Sequence, residues 1–171
     1  VYTSVLKRAI KTSQVALEEM GQLYLPVDKT WRLNERHYGA FVGKNKEEMK
    51  AEFGAEQVKK WRRGYKEVPP LAAENHFDRR YDQLDPRLIS HGESLEMTVE
   101  RVIPLWQDNL APRLLDQQNI LVVGHGNSLR ALTKYLENVP EDQMDTIDIP
   151  NAQPIQYTFN DQLEIIEKSL L

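Results

Sequence analysis

Ile120-Leu121-Val122-Val123-Gly124-His125-Gly126-Asn127-Ser128 is the stretch that decides the fold. The aliphatic run Ile120–Val123, closed by Gly124, reads as a buried strand. Asn127 and Ser128 read as N-cap signals for a helix over Ser128–Leu136. His125 therefore lies in a tight turn between strand and helix, between two glycines that let backbone approach a ligand closely. Ligands bind at that edge of an open α/β sheet, and a helix N-terminus offers free N–H groups to an anion. The alternative is a histidine that only caps its turn. The strand-to-helix context favours a site that handles phosphate.

Working outward, Val1–Ser4 reads as the end of a strand running directly into a helix over Val5–Met20, which Gly21 stops. Apolar residues at Val5, Leu6, Ala9, Ile10, Ala16 and Leu17 give that helix one face to lay on a sheet. Leu23–Val27 is a short strand candidate. Residues 30–70 form a polar, aromatic and basic insertion with short helices at Lys46–Phe53 and Ala55–Arg63. Residues 69–90 read as loop. A long amphipathic element over Glu93–Leu115 follows, and Pro104 is expected to kink or divide it. Strand Asn119–Val123, a short helix at Glu141–Met144 and strand candidates at Asp145–Ile149, Ile155–Phe159 and Leu163–Ile166 complete the chain. Strands alternating with helices predict an α/β fold, a three-layer sandwich with a mostly parallel central sheet.

At 171 residues the chain suits a single domain, residues 1–171, with a core of its own. Composition is 40% hydrophobic and 28% charged, which disfavours disorder. Absence of cysteine excludes disulfides and thiol catalysis. No apolar stretch reaches membrane-spanning length and no signal peptide opens the chain, so a cytoplasmic location is expected. A net charge of −4 argues against nucleic-acid binding driven by overall charge. The opening on the last residues of a strand, without Met, suggests that a piece is absent upstream. The apolar ending at Leu163–Leu171 suggests the same downstream.

Trp31-Arg-Leu-Asn-Glu-Arg-His-Tyr-Gly39 sets Glu35 among cations and donors. Glu35 is either a general acid/base or a solvated loop carboxylate paired with Arg36. Arg32, Arg36, His37 and Tyr38 supply a donor density that suits an anionic ligand. Lys59-Lys-Trp-Arg-Arg-Gly-Tyr-Lys66 concentrates positive charge. It reads as a solvated helix face, a nucleic-acid patch or a grip for carboxylate and phosphate oxygens, and the acidic total weakens the second. Lys44 and Lys46 add charge to the same insertion. Arg8, one turn into the first helix, either reaches a phosphate at the sheet's ligand edge or lies exposed. Ser90-His-Gly-Glu-Ser94 mimics the phosphate turn, but no convincing strand precedes it and Glu93 would repel phosphate. It reads as the entry to the long helix, capped by Ser90 or Ser94.

Together, five segments resemble the 2,3-bisphosphoglycerate-dependent phosphoglycerate mutases of the histidine phosphatase superfamily. They are residues 2–9, 31–39, 59–64, Arg101–Pro104 and 124–132. The resemblance implies an isomerase of glycolysis and gluconeogenesis that moves a phosphoryl group between C3 and C2 of glycerate through a phosphohistidine. It implies that Glu35 exchanges the substrate hydroxyl proton and that His125 stabilises the transferring phosphoryl group. It implies a pocket lined by Arg8, Arg36, His37, Tyr38, Lys46, Arg62, Arg63, Gly126 and Asn127. Small phosphorylated three-carbon acids would be the ligands, with 2,3-bisphosphoglycerate as primer and no metal, nucleic acid or membrane partner. A six-stranded mixed sheet and a homodimer are implied too. The family's nucleophile lies in an Arg-His-Gly turn after a first strand, which this sequence lacks. The 171 residues alone are therefore expected to be inactive and poorly folded, with sheet edges left unpaired. Two other readings stand beside it: a broad phosphomonoesterase of the same superfamily, and an anion-binding module without catalysis.

Overall fold

The computed structural model describes residues 1–73 and 79–171. Eleven regular elements position the site. They are β1 (Tyr2–Thr3), α1 (Lys7–Glu19), β2 (Asp28–Lys29), α2 (Lys46–Phe53), α3 (Ala55–Arg63), α4 (Leu95–Leu105), α5 (Ala111–Leu115), β3 (Val122–Val123), α6 (Gly126–Glu137), β4 (Ile155–Phe159) and β5 (Ile165–Leu170). The α/β class expected from the alternation is the observed one.

β1 is the middle strand of a three-stranded parallel sheet in the order β2-β1-β3, with Tyr2 opposite Asp28 and Val122. The C-terminal ends of β1 and β3 thus lie side by side. The chain leaves one through Ser4 into α1 and the other through Gly124 into α6, which carries Arg8 and His125 to a common edge. α1 buries Ala9 and Leu17 of the expected apolar face together with Ser13, while Val5, Leu6, Ile10 and Ala16 are half-buried. β4 and β5 form a separate antiparallel hairpin with an irregularity at Thr158 and Phe159.

The main core joins Tyr2, Leu33, Leu95, Val99, Val102, Leu105, Trp106, Leu110, Ala131, Leu132 and Met144. Leu33 is completely buried, so the loop before Glu35 is fixed to the domain by an apolar anchor. The insertion has a small core of its own, Phe41, Met49 and Val58, which the reading of that segment as polar and basic did not anticipate. Phe41, Phe53 and Trp61 pack there with ring centroids 5.0 to 5.5 Å apart.

Several expectations are corrected. Leu23–Val27 is a turn closed by the Leu25 amide on the Gln22 carbonyl, and Pro26 brings no N–H to a ladder, so the strand begins at Asp28. Only Val122 and Val123 of Asn119–Val123 enter the ladder. Asp145–Ile149 forms no strand, because a 3₁₀ turn over Glu141–Thr146 consumes its first half. The last strand runs over Ile165–Leu170 rather than Leu163–Ile166, since Leu163 takes a positive φ of 61° in the hairpin turn. The long element is divided as expected, with a π-helical turn at Trp106–Leu110 between α4 and α5. α6 starts at Gly126, with His125 rather than Asn127 or Ser128 as N-cap, and the Ser128 hydroxyl accepts from the His125 amide at 3.0 Å. Among the described residues five strands form in two sheets, where the resemblance implied one sheet of six.

Gly39 shows where the insertion meets the domain. It adopts φ +58°, and a Cβ there would lie 2.0 Å from the Pro70 carbonyl oxygen. The next amide, Ala40, donates to that same carbonyl at 2.8 Å, so only glycine fits the approach.

Candidate active site

Four segments distant in sequence converge at the shared edge of β1 and β3. His125 is buried, and both ring nitrogens are engaged: Nε2 lies 2.8 Å from the Ser4 hydroxyl and Nδ1 lies 2.9 Å from Nη2 of Arg8. A guanidinium only donates, so Nδ1 carries the lone pair and Nε2 the proton. Burial holds the His125 pKa below its ordinary value. Glu35 pulls the other way, and the positive charges of Arg8 and Arg101 reinforce the depression. The imidazole is neutral near pH 7.

Glu35 faces it. Its Oε2 accepts from Arg8 at 3.4 Å, and its Oε1 accepts from the Asn127 side-chain amide at 3.1 Å and from the Arg36 backbone N–H at 3.0 Å. The solvated pair with the Arg36 guanidinium is therefore not what forms. Asn127 also donates to the Tyr38 hydroxyl at 2.8 Å, and its own oxygen accepts from Arg130 at 3.2 Å. Arg130 donates further to the Met144 carbonyl, and burial lowers its pKa.

The cationic rim has two sources. Arg8 is 73% exposed in its side chain and leans over His125 and Glu35. Arg62 lies 5.0 Å above the Tyr38 ring, so α3 delivers a guanidinium beside the Asn127–Tyr38 contact. Arg63, the next residue, is exposed and its charge acts on Arg130. Gly126 is exposed, with no atom within 4 Å of where a Cβ would stand. At the α6 N-terminus the space beside Gly126 is therefore open, while the Asn127 N–H already donates to Glu35 Oε1 at 3.4 Å.

Other candidates fall elsewhere. Arg36 is only 2% exposed, donating through Nε to the Glu93 carbonyl and through Nη2 to the carbonyls of Trp61 and Glu67. It lashes the insertion to the domain, and burial lowers its pKa. His37 turns its Nδ1 to the Gly39 amide at 3.0 Å. Lys46 is exposed at the first position of α2. His91 sits 3.1 Å from the Ala72 carbonyl, and Ser94 caps α4 as expected by accepting from Met97. Sequence reasoning missed Ser4 and Arg130. Ser4 looked like the last residue of a strand and Arg130 like one more helix arginine; neither position carries a local signal of its contacts.

Comparison with known proteins shows the family of the chain. The model of the histidine phosphatase superfamily (branch 1) matches residues 1–169. The 2,3-bisphosphoglycerate-dependent phosphoglycerate mutase 1 of Lactobacillus johnsonii is 48% identical over 99% of this chain and 76% of its own length. The corresponding mutases of Lactobacillus acidophilus and Streptococcus pyogenes are 49% and 48% identical over the same shares. Among solved structures, a mycobacterial glucosyl-3-phosphoglycerate phosphatase in complex with VO3 superposes with a TM-score of 0.70 at 24% identity, covering 99% of this chain and 73% of that one. The α-ribazole phosphatase of Shigella flexneri gives 0.61 at 21% identity, covering 97% and 70%. At those identities the structures speak for the fold alone. The chain belongs to the histidine phosphatase superfamily and, within it, to the family of 2,3-bisphosphoglycerate-dependent phosphoglycerate mutases.

Proposed function

We propose that this chain interconverts 3-phosphoglycerate and 2-phosphoglycerate. The observation that carries the reading is the unbroken hydrogen-bonded chain from His125 through Arg8 and Glu35 to Asn127. One carboxylate, one neutral imidazole and an exposed guanidinium meet at the N-terminus of α6.

2,3-bisphosphoglycerate, when bound, supplies the phosphoryl group that primes the reaction. The donor set fits such a ligand: Arg8, Arg62, Arg63 and the exposed Gly126 end of α6 match a small acid with several negative charges. Phosphoryl transfer is accelerated mainly by donors fixed around the equatorial oxygens. Arg8 serves that role here, and the His125 N–H joins it by exchanging the Ser4 hydroxyl for a phosphoryl oxygen. Glu35 takes the proton of the substrate hydroxyl as that oxygen attacks the phosphorus of a phosphohistidine, the N–P bond breaking as the O–P bond forms, and returns the proton in the reverse sense. Asn127, itself bonded to the Tyr38 hydroxyl, holds the carboxylate in place. Arg36 serves by pinning the insertion. The same reading includes a cytoplasmic dimer without a metal, supported by the family; no described helix is long and apolar enough to cross a membrane.

The test is to incubate the full-length protein with 3-phosphoglycerate and catalytic 2,3-bisphosphoglycerate, following 2-phosphoglycerate and inorganic phosphate together. Isomer formation well above phosphate release is expected. Phosphate release without isomer would establish a phosphomonoesterase instead, and neither product would leave an anion-binding module.

A further inference from the structure

We propose that Glu93 and Arg101 are positioning residues that set the place of the Glu35 carboxylate by clamping the backbone on both sides of it. The inference rests on the mutase reading for the task of Glu35, and on geometry alone for the clamp. Glu93 and Arg101 are 6% and 8% exposed and pair through Nε to Oε1 at 2.7 Å and Nη2 to Oε2 at 3.1 Å. Neither group is spent on the other alone. Arg101 donates through Nη1 to the Arg32 carbonyl and through Nη2 to the Asn34 carbonyl at 2.9 Å, the peptide oxygen directly before Glu35. Glu93 Oε2 accepts from the His37 amide at 2.8 Å, two residues after it.

The main chain of Glu93 completes the grip. Its N–H donates to the His37 carbonyl at 2.8 Å and its carbonyl accepts from Arg36 Nε at 2.7 Å. Arg32 returns a bond to the Arg101 carbonyl at 3.1 Å. Glu35 therefore sits on a short bridge of chain whose two ends are tied to one ion pair, between the residue before the α4 N-cap and the middle of α4.

An ion pair is a poor way to stabilise a core. Desolvation offsets most of its attraction, and apolar residues of equal volume often serve as well or better. What apolar residues cannot do is accept the His37 N–H and donate to the carbonyls of Arg32 and Asn34. The pair thus specifies a loop shape. Reaction rates are sensitive to that shape, since a displacement of about 1 Å at a reacting group can cost on the order of a hundredfold.

The experiment places Arg101→Lys and Glu93→Gln in the full-length protein, each with and without Glu35→Gln. Lysine keeps the charge but loses the fork, and glutamine keeps the volume but loses an acceptor. Each single variant is expected to lower kcat by roughly ten- to a hundredfold with KM for 3-phosphoglycerate changed by less than about threefold. Beside Glu35→Gln the further loss should shrink to about twofold or less, because two residues acting through one group do not add. Equal losses in both backgrounds, or kcat unchanged in both single variants, would overturn the proposal. If Arg101→Lys fails to fold, Glu93→Gln alone decides. Hydrogen exchange at the His37 amide reads the clamp without turnover: it should quicken by about tenfold or more in Glu93→Gln while the Val102 amide in α4 keeps its protection. Unchanged His37 protection sinks the clamp. A parent protein that makes no 2-phosphoglycerate sinks the mutase reading instead and leaves the exchange result to judge the clamp.

Discussion

The Arg8 guanidinium donates to Nδ1 of His125 across 2.9 Å. This contact joins the start of α1 to the start of α6 and fixes the tautomer of the imidazole, because a guanidinium has no lone pair to accept with. It also places a permanent positive charge against a ring that burial already keeps neutral. Replacing Arg8 by Gln removes that charge. The His125 pKa should then rise, as read from its Cε1–H chemical shift over a pH series. A fall, or no change, would mean that Arg8 does not face the ring in solution.

The depressed pKa of His125 also ties stability to pH. The unfolded chain binds a proton on this histidine near its ordinary value of 6.5, and the folded chain binds it only at lower pH. Between the two values the unfolded state holds more protons, so stability rises with pH. The contribution is complete above about 6.5 and is lost as pH falls through that value toward the folded pKa. Urea midpoints from pH 7.5 down to 5 should decline more steeply for the parent than for His125→Asn. Parallel declines would remove His125 as the cause.

His125→Ala should lower turnover by about a hundredfold or more, the scale on which a single preorganised donor counts. The fold should survive, because the ring bonds to Ser4 and Arg8 and belongs to neither apolar core. Circular dichroism and kcat measured on one preparation separate the two effects. Unchanged kcat would take His125 out of the chemistry.

Glu35→Gln keeps the size of the side chain and its contact with Asn127 but cannot take a proton. KM should stay within about threefold while kcat falls on the order of a hundred- to ten-thousandfold. A variant that retains its rate would return Glu35 to the status of a surface carboxylate held by Arg8.

The sequence announced the helices and the His125 turn because periodicity, glycines and caps are local signals. Both insertion helices appear at their expected bounds, Lys46–Phe53 and Ala55–Arg63. Strands were less legible. A ladder two residues long, such as Asp28–Lys29 on Tyr2–Thr3, is fixed by what lies beside it and leaves almost no trace in composition. The same holds at the site. His125 and Glu35 stood out by context, but Glu93 was read as a carboxylate that merely opens a helix, and Arg101 as part of a matching segment. Their partners lie 56 to 69 residues away. Arg36 shows the reverse error, because a row of donors suggested ligand contact where burial and three carbonyls give it a structural task.

Leu33→Ala tests how firmly the Glu35 loop is anchored. Leu33 is fully buried in the main core, so its loss leaves a cavity worth about 2–5 kcal/mol. The urea midpoint should drop with little change in m. Since the anchor is two residues from Glu35, kcat should fall even where the variant is fully folded. A normal kcat under those conditions would assign loop placement to the Glu93–Arg101 pair alone.

The two sheets make a final demand on the 171-residue chain. Among the described residues β3 pairs with β1 alone and β4 with β5 alone, so each presents one free edge. Val122 and Val123 are partly exposed beside that edge. A free edge flanked by aliphatic side chains templates pairing with another strand. The isolated chain should therefore associate as concentration rises, in light scattering, and bind a hydrophobic dye. A monodisperse, dye-silent chain would contradict the account of the edges.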